Sequence, residues 1–274
     1  MDMHKLTIGS DLAQADQLAA GGNDGLADPG FDGIGIDDVA EGVWGKSAAD
    51  VRYDGDFGVA KVAISYGDNA GDADWAAGFA FDVEPVTFGA GFDSHGVMSV
   101  GMGFTQGAIA MSAMYSTDSD HDEADNEGFA CTTDLGDQTK AAYSAVKNAA
   151  CDLNNGENIA NKPDLKNQAM GVDVSYQMNE TTSVVLVAAQ HKKESAHLSY
   201  KAPVPLTGSA LAAAQAAGNP TTTNSSLTWS KTSTTVDAFG VGFSHDLGGG
   251  ATLKAGAGSV DSNAVADLGI TMKF

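Results

Sequence analysis

An acidic segment near the start of the chain carries the densest set of side chains that could act on a solute. Within residues 10–50 it combines a single base, Lys46, with many carboxylates, among them Asp11, Asp16, Asp24, Asp28, Asp32, Asp37, Asp38 and Glu41. Carboxylates that face basic groups across a narrow space create a transverse field, which orients dipolar solutes and sets ion preference. The alternative is an acidic surface loop in contact with solvent.

Basic side chains are scarce in the rest of the chain. Lysine and arginine total 14 against 36 aspartates and glutamates, and the net charge is −22. A nucleic-acid partner needs a basic surface, so this class of function is excluded. The bases that alternation places on a polar strand face are Arg52, Lys61 and Lys254.

A second acidic stretch, Asp118 to Gly128, resembles a calcium loop only in part. Glu123 stands where an EF-hand has glycine, and Phe129 stands where the bidentate glutamate belongs. A solvated acidic loop is therefore favoured, with weak calcium binding left open. No other cofactor is predicted.

The two cysteines, Cys131 and Cys151, fall in the same polar segment. Their spacing matches no zinc signature, because the matching Cys and His partners are missing. A disulfide formed in an oxidising compartment is favoured, and two free thiols are the alternative.

The chain lacks the common catalytic motifs. It has no Gly-x-Ser-x-Gly elbow and no phosphate-binding glycine loop, and its six histidines are scattered without ligand spacing. We therefore expect no enzymatic activity.

Period-two alternation indicates what positions these charges. In residues 75–83, Trp75, Phe79 and Phe81 share one face with other apolar residues, while Gly78 and Asp82 lie on the other. Such alternation is typical of strands with one apolar and one polar face. It predicts twelve strands, at about 4–9, 51–54, 58–66, 75–83, 86–93, 97–105, 108–116, 169–178, 182–192, 234–245, 251–259 and 264–274.

The connections and strand lengths favour a membrane barrel over a soluble sandwich. Tight turns alternate with longer connections, the longest being 117–168 and 194–233. The polar face is built mainly of Gly, Ser, Thr and Asp, which suits a wet lumen. Many of the strands have the nine to eleven residues that a tilted membrane strand needs. The fold class predicted is all-β, a transmembrane antiparallel up-and-down β-barrel.

The final strand has an apolar face that ends on the last residue. Leu268, Ile270, Met272 and Phe274 alternate with polar residues and glycine. We interpret these four side chains as a C-terminal assembly signal for insertion into the outer membrane.

Several stretches resemble the general porins of alphaproteobacteria, the Rhodobacter-type family. The C-terminal runs are HDLGGGATLKAGAG, residues 245–258, and VADLGITMKF, residues 265–274. VRYDGDFGVAKVAISYG, residues 51–67, resembles the strand pair after the family's constriction loop. KLTIGSD, residues 5–11, resembles the strand that leads into it.

The resemblance implies a sixteen-stranded, homotrimeric outer-membrane porin of a Gram-negative bacterium, open to passive diffusion of ions and small hydrophilic solutes. Residues 1–274 would form one barrel domain without the family's first four strands and signal peptide. Residues 10–50 would be the constriction loop inside the pore, opposed by Arg52, Lys61 and Lys254, and 117–168 and 194–233 would be extracellular.

The scarcity of bases then predicts a preference for cations. The partners implied are the lipid bilayer, lipopolysaccharide and the barrel-assembly machinery. The alternative from another class is a secreted, acidic, β-rich surface or adhesin-like protein without channel activity.

Overall fold

The computed structural model describes residues 4–20, 26, 27, 29–31, 34–43, 49–69, 72–118, 165–201, 212, 216 and 226–273. The chain forms two compact units. The first comprises residues 1–121, 166–193 and 234–274, and the second comprises 122–165 and 194–233. No helix in the described ranges is long and apolar enough to cross a membrane.

Twelve strands form one sheet in which each strand is hydrogen-bonded to the next along the chain. The pairings from β1 to β9 and from β10 to β12 are antiparallel, so the up-and-down all-β fold with twelve strands is confirmed. The strands are β1 His4–Leu12, β2 Ala49–Asp56, β3 Ala60–Asn69, β4 Asp72–Val83, β5 Val86–Asp93, β6 Val97–Gln106, β7 Ile109–Asp118, β8 Asn167–Asn179, β9 Thr182–Lys201, β10 Ser226–Gly248, β11 Ala251–Val260 and β12 Asn263–Met272.

Several strands are longer than the sequence pattern predicts. β3 ends at Asn69 and β4 begins at Asp72, whereas the sequence pattern predicts one strand that ends at residue 66 and a next strand that begins at 75. β9 continues to Lys201, and β10 already begins at Ser226. The strands are longer because the backbones of polar residues at their ends still pair. These residues do not show the alternation of apolar and polar types from which the strands were predicted.

The two faces of the sheet differ sharply. The apolar face exposes large side chains, among them Ile64, Trp75, Phe92, Met98, Val100, Met102, Tyr115, Met170, Phe239, Leu268 and Ile270. The polar face carries Gly, Ala, Ser and Asp at the alternate positions. Several of these residues are buried, including Ser65, Ser99, Ser116 and Asp173. What buries them is the segment between β1 and β2.

This segment contains two short helices that pack on the polar face. The 3-10 helix η1 spans Ala15–Ala20, and α1 spans Ile36–Glu41. Ile36, Val39 and Ala40 are buried in α1 and join an apolar cluster with Met114 and Ala189 of the sheet. Apolar burial therefore holds α1 against β7 to β9.

The second unit contains the C-terminal part of β9 and the N-terminal part of β10. Ser195 and Thr232 hydroxyls lie 2.7 Å apart, and Lys231 forms a 2.6 Å ion pair with Glu194. These contacts join the two strands within that unit.

Candidate functional site

The segment between β1 and β2, called the inserted segment below, rests on glycines of the polar face of the sheet. This polar face is called the wall below. A Cβ atom on Gly91 would lie 2.6 Å from Asp16 Cα, closer than side chains approach backbone. Gly78 meets the backbone of Ala15 in the same way, and Gly256 meets Pro29, whose carbonyl carbon would be 2.8 Å from the added Cβ. At these three glycines the backbone of the segment therefore lies directly against the sheet.

Arg52 of β2 holds the two residues that precede η1. Its Nη1 donates hydrogen bonds to the carbonyls of Ala13 and Gln14, at 3.0 and 3.2 Å. Its Nε and Nη2 both contact Asp54 Oδ1 at 2.9 Å. The only arginine of the chain is thus engaged by backbone carbonyls and one carboxylate.

Three further polar side chains of the wall accept hydrogen bonds from backbone amides of the segment. Ser65 Oγ accepts from Ala15 N at 2.9 Å. Asp173 Oδ2 accepts from Ala27 N at 3.2 Å, and Asp267 Oδ2 accepts from Phe31 N at 2.7 Å. These bonds tie the segment to β3, β8 and β12, which lie far apart in the strand order.

Asp16 of η1 is fully buried against the wall. Among the described residues, neither of its carboxylate oxygens has a hydrogen-bonding partner of good geometry. Burial raises the pKa of Asp16 from 3.8 to about 6, and the charge of Asp93 adds to the rise. The nearby amides of Asp16 and Gln17 and the charge of Arg52 oppose it.

More carboxylates lie on the same face, at the end of the strands where the segment enters. Asp93 accepts hydrogen bonds at 2.9 Å from the amides of His95 and Val97. Asp74 lies 3.1 Å from His95 Nε2 and is buried, as is Asp118. The wall beside η1 is therefore acidic.

The remaining predicted site residues lie in different parts of the structure and differ in exposure. Lys61 and Lys254 lie on the polar face, in register with Ala80 and Gly269 respectively. Asp38 of α1 is exposed, while Asp37 and Glu41 of the same helix are partly buried. Asp11 belongs to β1, whose pairing shifts register around it.

Other predicted positions lie outside the described residues. They are Asp24, Asp28, Asp32, Lys46, Cys131, Cys151, Phe274 and all of the calcium-like stretch after Asp118. Leu268, Ile270 and Met272 of the C-terminal pattern are described, and all three are exposed on the apolar face. In the part of the chain that is described, no group of three or more His, Cys, Asp or Glu is arranged to hold a metal ion.

The anchoring residues Ser65, Asp173 and Asp267 were not predicted as site residues. Alternation assigns all three to the polar face, but it does not say which polar side chains meet the inserted backbone. The glycines that flank these anchors on the wall are the one sequence signal of close approach.

Comparison with known proteins yields structural matches only. No protein-family model and no curated protein matches the chain. OmpT, an outer membrane protein of Vibrio cholerae solved in trimer form, matches with a TM-score of 0.53 at 11% identity, over 99% of this chain and 74% of that one.

Two porin structures are also similar. A porin structure matches with a TM-score of 0.48 at 17% identity, over 99% of this chain and 77% of that chain. A mutant of the Rh. blastica porin matches with a TM-score of 0.35 at 10% identity, over 82% and 76%. At this identity the OmpT match supports the fold, an up-and-down antiparallel sheet, and nothing finer.

Proposed function

We propose that this chain is an outer-membrane porin that lets ions and small hydrophilic solutes diffuse passively through a water-filled channel, with a preference for cations. One observation carries the proposal. The sheet exposes its large apolar side chains on one face and keeps its polar side chains, with an inserted segment, on the other. A soluble β-sandwich has the opposite arrangement, because it buries its apolar faces and exposes its polar ones.

The apolar face requires an apolar surrounding. Met98 and Leu268 are 63% and 70% exposed, and many other large apolar residues share this state. Soluble monomers seldom expose contiguous apolar patches larger than a few hundred Å². A bilayer removes this surface from water, which favours the membrane over the secreted surface protein.

Aromatic side chains lie where the interfaces of a bilayer would be. Tyr66 and Trp75 face each other on adjacent strands, and Trp75 packs edge-on against Phe92 with ring centroids 5.8 Å apart. Phe81 lies six residues further along β4, roughly 20 Å at the rise of a strand. Phe81 is in register with Phe88 of β5, so aromatic side chains occur at two levels of the apolar face. This supports the assignment of these residues to the aromatic girdles that flank the apolar band of outer-membrane barrels.

The inserted segment supports a channel with a constriction. It rests on the polar face of the strands, the face that a barrel turns toward its lumen. Its exposed Asp38 and the acidic wall beside η1 outweigh the bases Lys61 and Lys254 on that face. Negative charge in a lumen of low dielectric raises the local concentration of cations, which is the basis of the selectivity proposed.

The proposal includes features taken from the family resemblance. They are homotrimeric assembly, contact with lipopolysaccharide, and insertion by the barrel-assembly machinery through Leu268, Ile270, Met272 and Phe274. A disulfide between Cys131 and Cys151 is proposed from the sequence instead, because the chain has no other cysteine.

Conductance across a planar bilayer tests the proposal. The chain is refolded in detergent and added to the membrane under a salt gradient. We expect discrete current steps and a reversal potential on the cation side. Lys61→Gln and Lys254→Gln should each shift this potential further toward cations. Absence of current steps, with no mobility shift on boiling, would favour the surface-protein alternative.

A further inference from the structure

We propose that protonation of Asp16 controls the docking of η1 on the polar face, so that acidic medium holds the segment against the wall and neutral medium loosens it. Its consequence for conductance rests on the porin function proposed above. Its structural part concerns only the contact between η1 and the wall.

The geometry encloses the Asp16 carboxyl at this contact. The residue is 0% exposed, and its backbone lies against Gly91, where no side chain intervenes. Two bonds hold the preceding residues in place, from Arg52 to the Gln14 carbonyl and from Ala15 N to Ser65 Oγ. The carboxyl therefore cannot reach water unless η1 leaves the wall.

A charged carboxylate in this position is poorly compensated. Neither oxygen has a hydrogen-bonding partner of good geometry among the described residues, and the nearby amides of Asp16 and Gln17 offset only part of the cost of burial. A buried charge without partners is disfavoured, whereas a buried neutral carboxyl costs much less. Ionisation of Asp16 and release of η1 are therefore linked.

The charged groups on the strands that face η1 add to this effect. The polar face presents Asp93 on β5, Asp74 and the exposed Asp82 on β4, Asp118 on β7 and Lys61 on β3. On β2 it presents Arg52 with Asp50, Asp54 and Asp56, and β6 contributes no titratable residue. Among the charges of the described residues, Asp93 raises the pKa of Asp16 and Arg52 lowers it. Arg52 is already shared between Asp54 and two carbonyls.

The sign follows from linkage. The pKa of Asp16 is about 6 with η1 docked, and 3.8 is its ordinary value in water. The docked state therefore binds a proton more tightly than the released state, and docking is favoured below pH 4. It weakens as the pH rises through 6, by roughly 100-fold in the docking equilibrium over the whole range.

Hydrogen exchange tests the structural part directly. The full chain, folded in detergent, is exchanged at pH 5 and pH 8, and the rates are corrected for intrinsic chemistry. We expect protection of the Ala15 amide to fall by about tenfold from pH 5 to pH 8, the part of the range above pH 5. Asp16→Asn should remove this change and stay protected at both pH values. Asp82→Asn, at an exposed carboxylate of β4, is the matched control and should behave as wild type.

A second variant keeps the test decisive if Asp16→Asn fails to fold. Asp93→Asn retains an oxygen that accepts from His95 and Val97 but removes the repulsion of Asp16, so the pH midpoint should fall. Equal pH dependence in wild type and Asp16→Asn, or an unchanged midpoint in Asp93→Asn, would overturn the inference.

Bilayer recordings of the same proteins separate this inference from the proposed function. We expect closing events to be more frequent at pH 8 than at pH 5 in wild type, and equally rare at both in Asp16→Asn. If no variant conducts, the porin function fails, while the exchange data still decide whether Asp16 controls docking.

Discussion

Adding one methyl group at Gly91 should lift η1 from the wall. In Gly91→Ala the new Cβ would lie 2.6 Å from Asp16 Cα and 2.8 Å from its carbonyl carbon, whereas ordinary contact begins at 3.4 Å. Both neighbours are backbone atoms, so no side-chain rotation can relieve the clash. The helix must move outward by about 1 Å, a shift that forfeits a large part of each van der Waals interaction along this surface.

The free-energy cost of this substitution has two sources. Overpacking at a tightly packed position typically costs about 1–3 kcal/mol. The Ala15 N to Ser65 Oγ bond, 2.9 Å long, lies one residue away and is stretched by the same movement. Breaking it adds about 1 kcal/mol. We expect docking to weaken by about 2–4 kcal/mol, roughly 30- to 900-fold in the docking equilibrium, with the sheet itself little affected.

Hydrogen exchange across residues 13–20 and global unfolding in urea measure these two quantities separately. Gly103→Ala is the matched control, since its Cβ meets the rotatable hydroxyl of Thr87 and then nothing nearer than Met111 O at 3.8 Å. The reasoning is refuted if the two variants show the same exchange in this segment. It is also refuted if Gly91→Ala lowers global stability without exposing η1.

Two other positions lead to predictions. Arg52→Gln should weaken docking of η1 by about 2 kcal/mol, because it removes the charge-assisted bonds to the Ala13 and Gln14 carbonyls. Arg52→Lys should weaken docking less than Arg52→Gln but more than wild type, because a lysine lacks the planar fork of the guanidinium. Hydrogen exchange of the Ala15 amide measures both effects. Leu268→Lys, on the apolar face, should cost about 2–4 kcal/mol in lipid vesicles by urea titration. Thr271→Lys, on the polar face of β12, should cost clearly less, and the reverse order would contradict membrane burial of Leu268.

The strands were predictable because alternation is a local property. In β4 the type of each residue indicates which face of the sheet it is on, so the sequence alone predicts a strand over residues 75–83. The register of β4 with β3 and β5 follows from the hairpins that join these strands. The prediction was less accurate at the strand ends. There Asp72 and Asn69 pair through their backbones, although neither residue type carries an apolar signal.

The inserted segment was less predictable because its contacts are long-range. Phe31 N is bonded to Asp267, 236 residues away, and Ala27 N to Asp173, 146 residues away. Any carboxylate on the polar face can accept a backbone amide equally well, so the sequence does not choose among them. The buried position of Asp16, unlike the exposed position of Asp38, depends on which glycine of the wall its helix meets.

Charges that hold backbone in place contribute little to the field that a solute meets. Arg52 appeared from the sequence to be a basic wall residue, yet its guanidinium is occupied by Asp54 and the Ala13 and Gln14 carbonyls. Asp267 is engaged in the same way with the Phe31 amide. A count of formal charges therefore overstates both sides of the proposed constriction. It loses Arg52 from the bases, and Asp54, Asp173 and Asp267 from the carboxylates. Carboxylates still outnumber the remaining bases of the chain, so the physical case for cation preference stands.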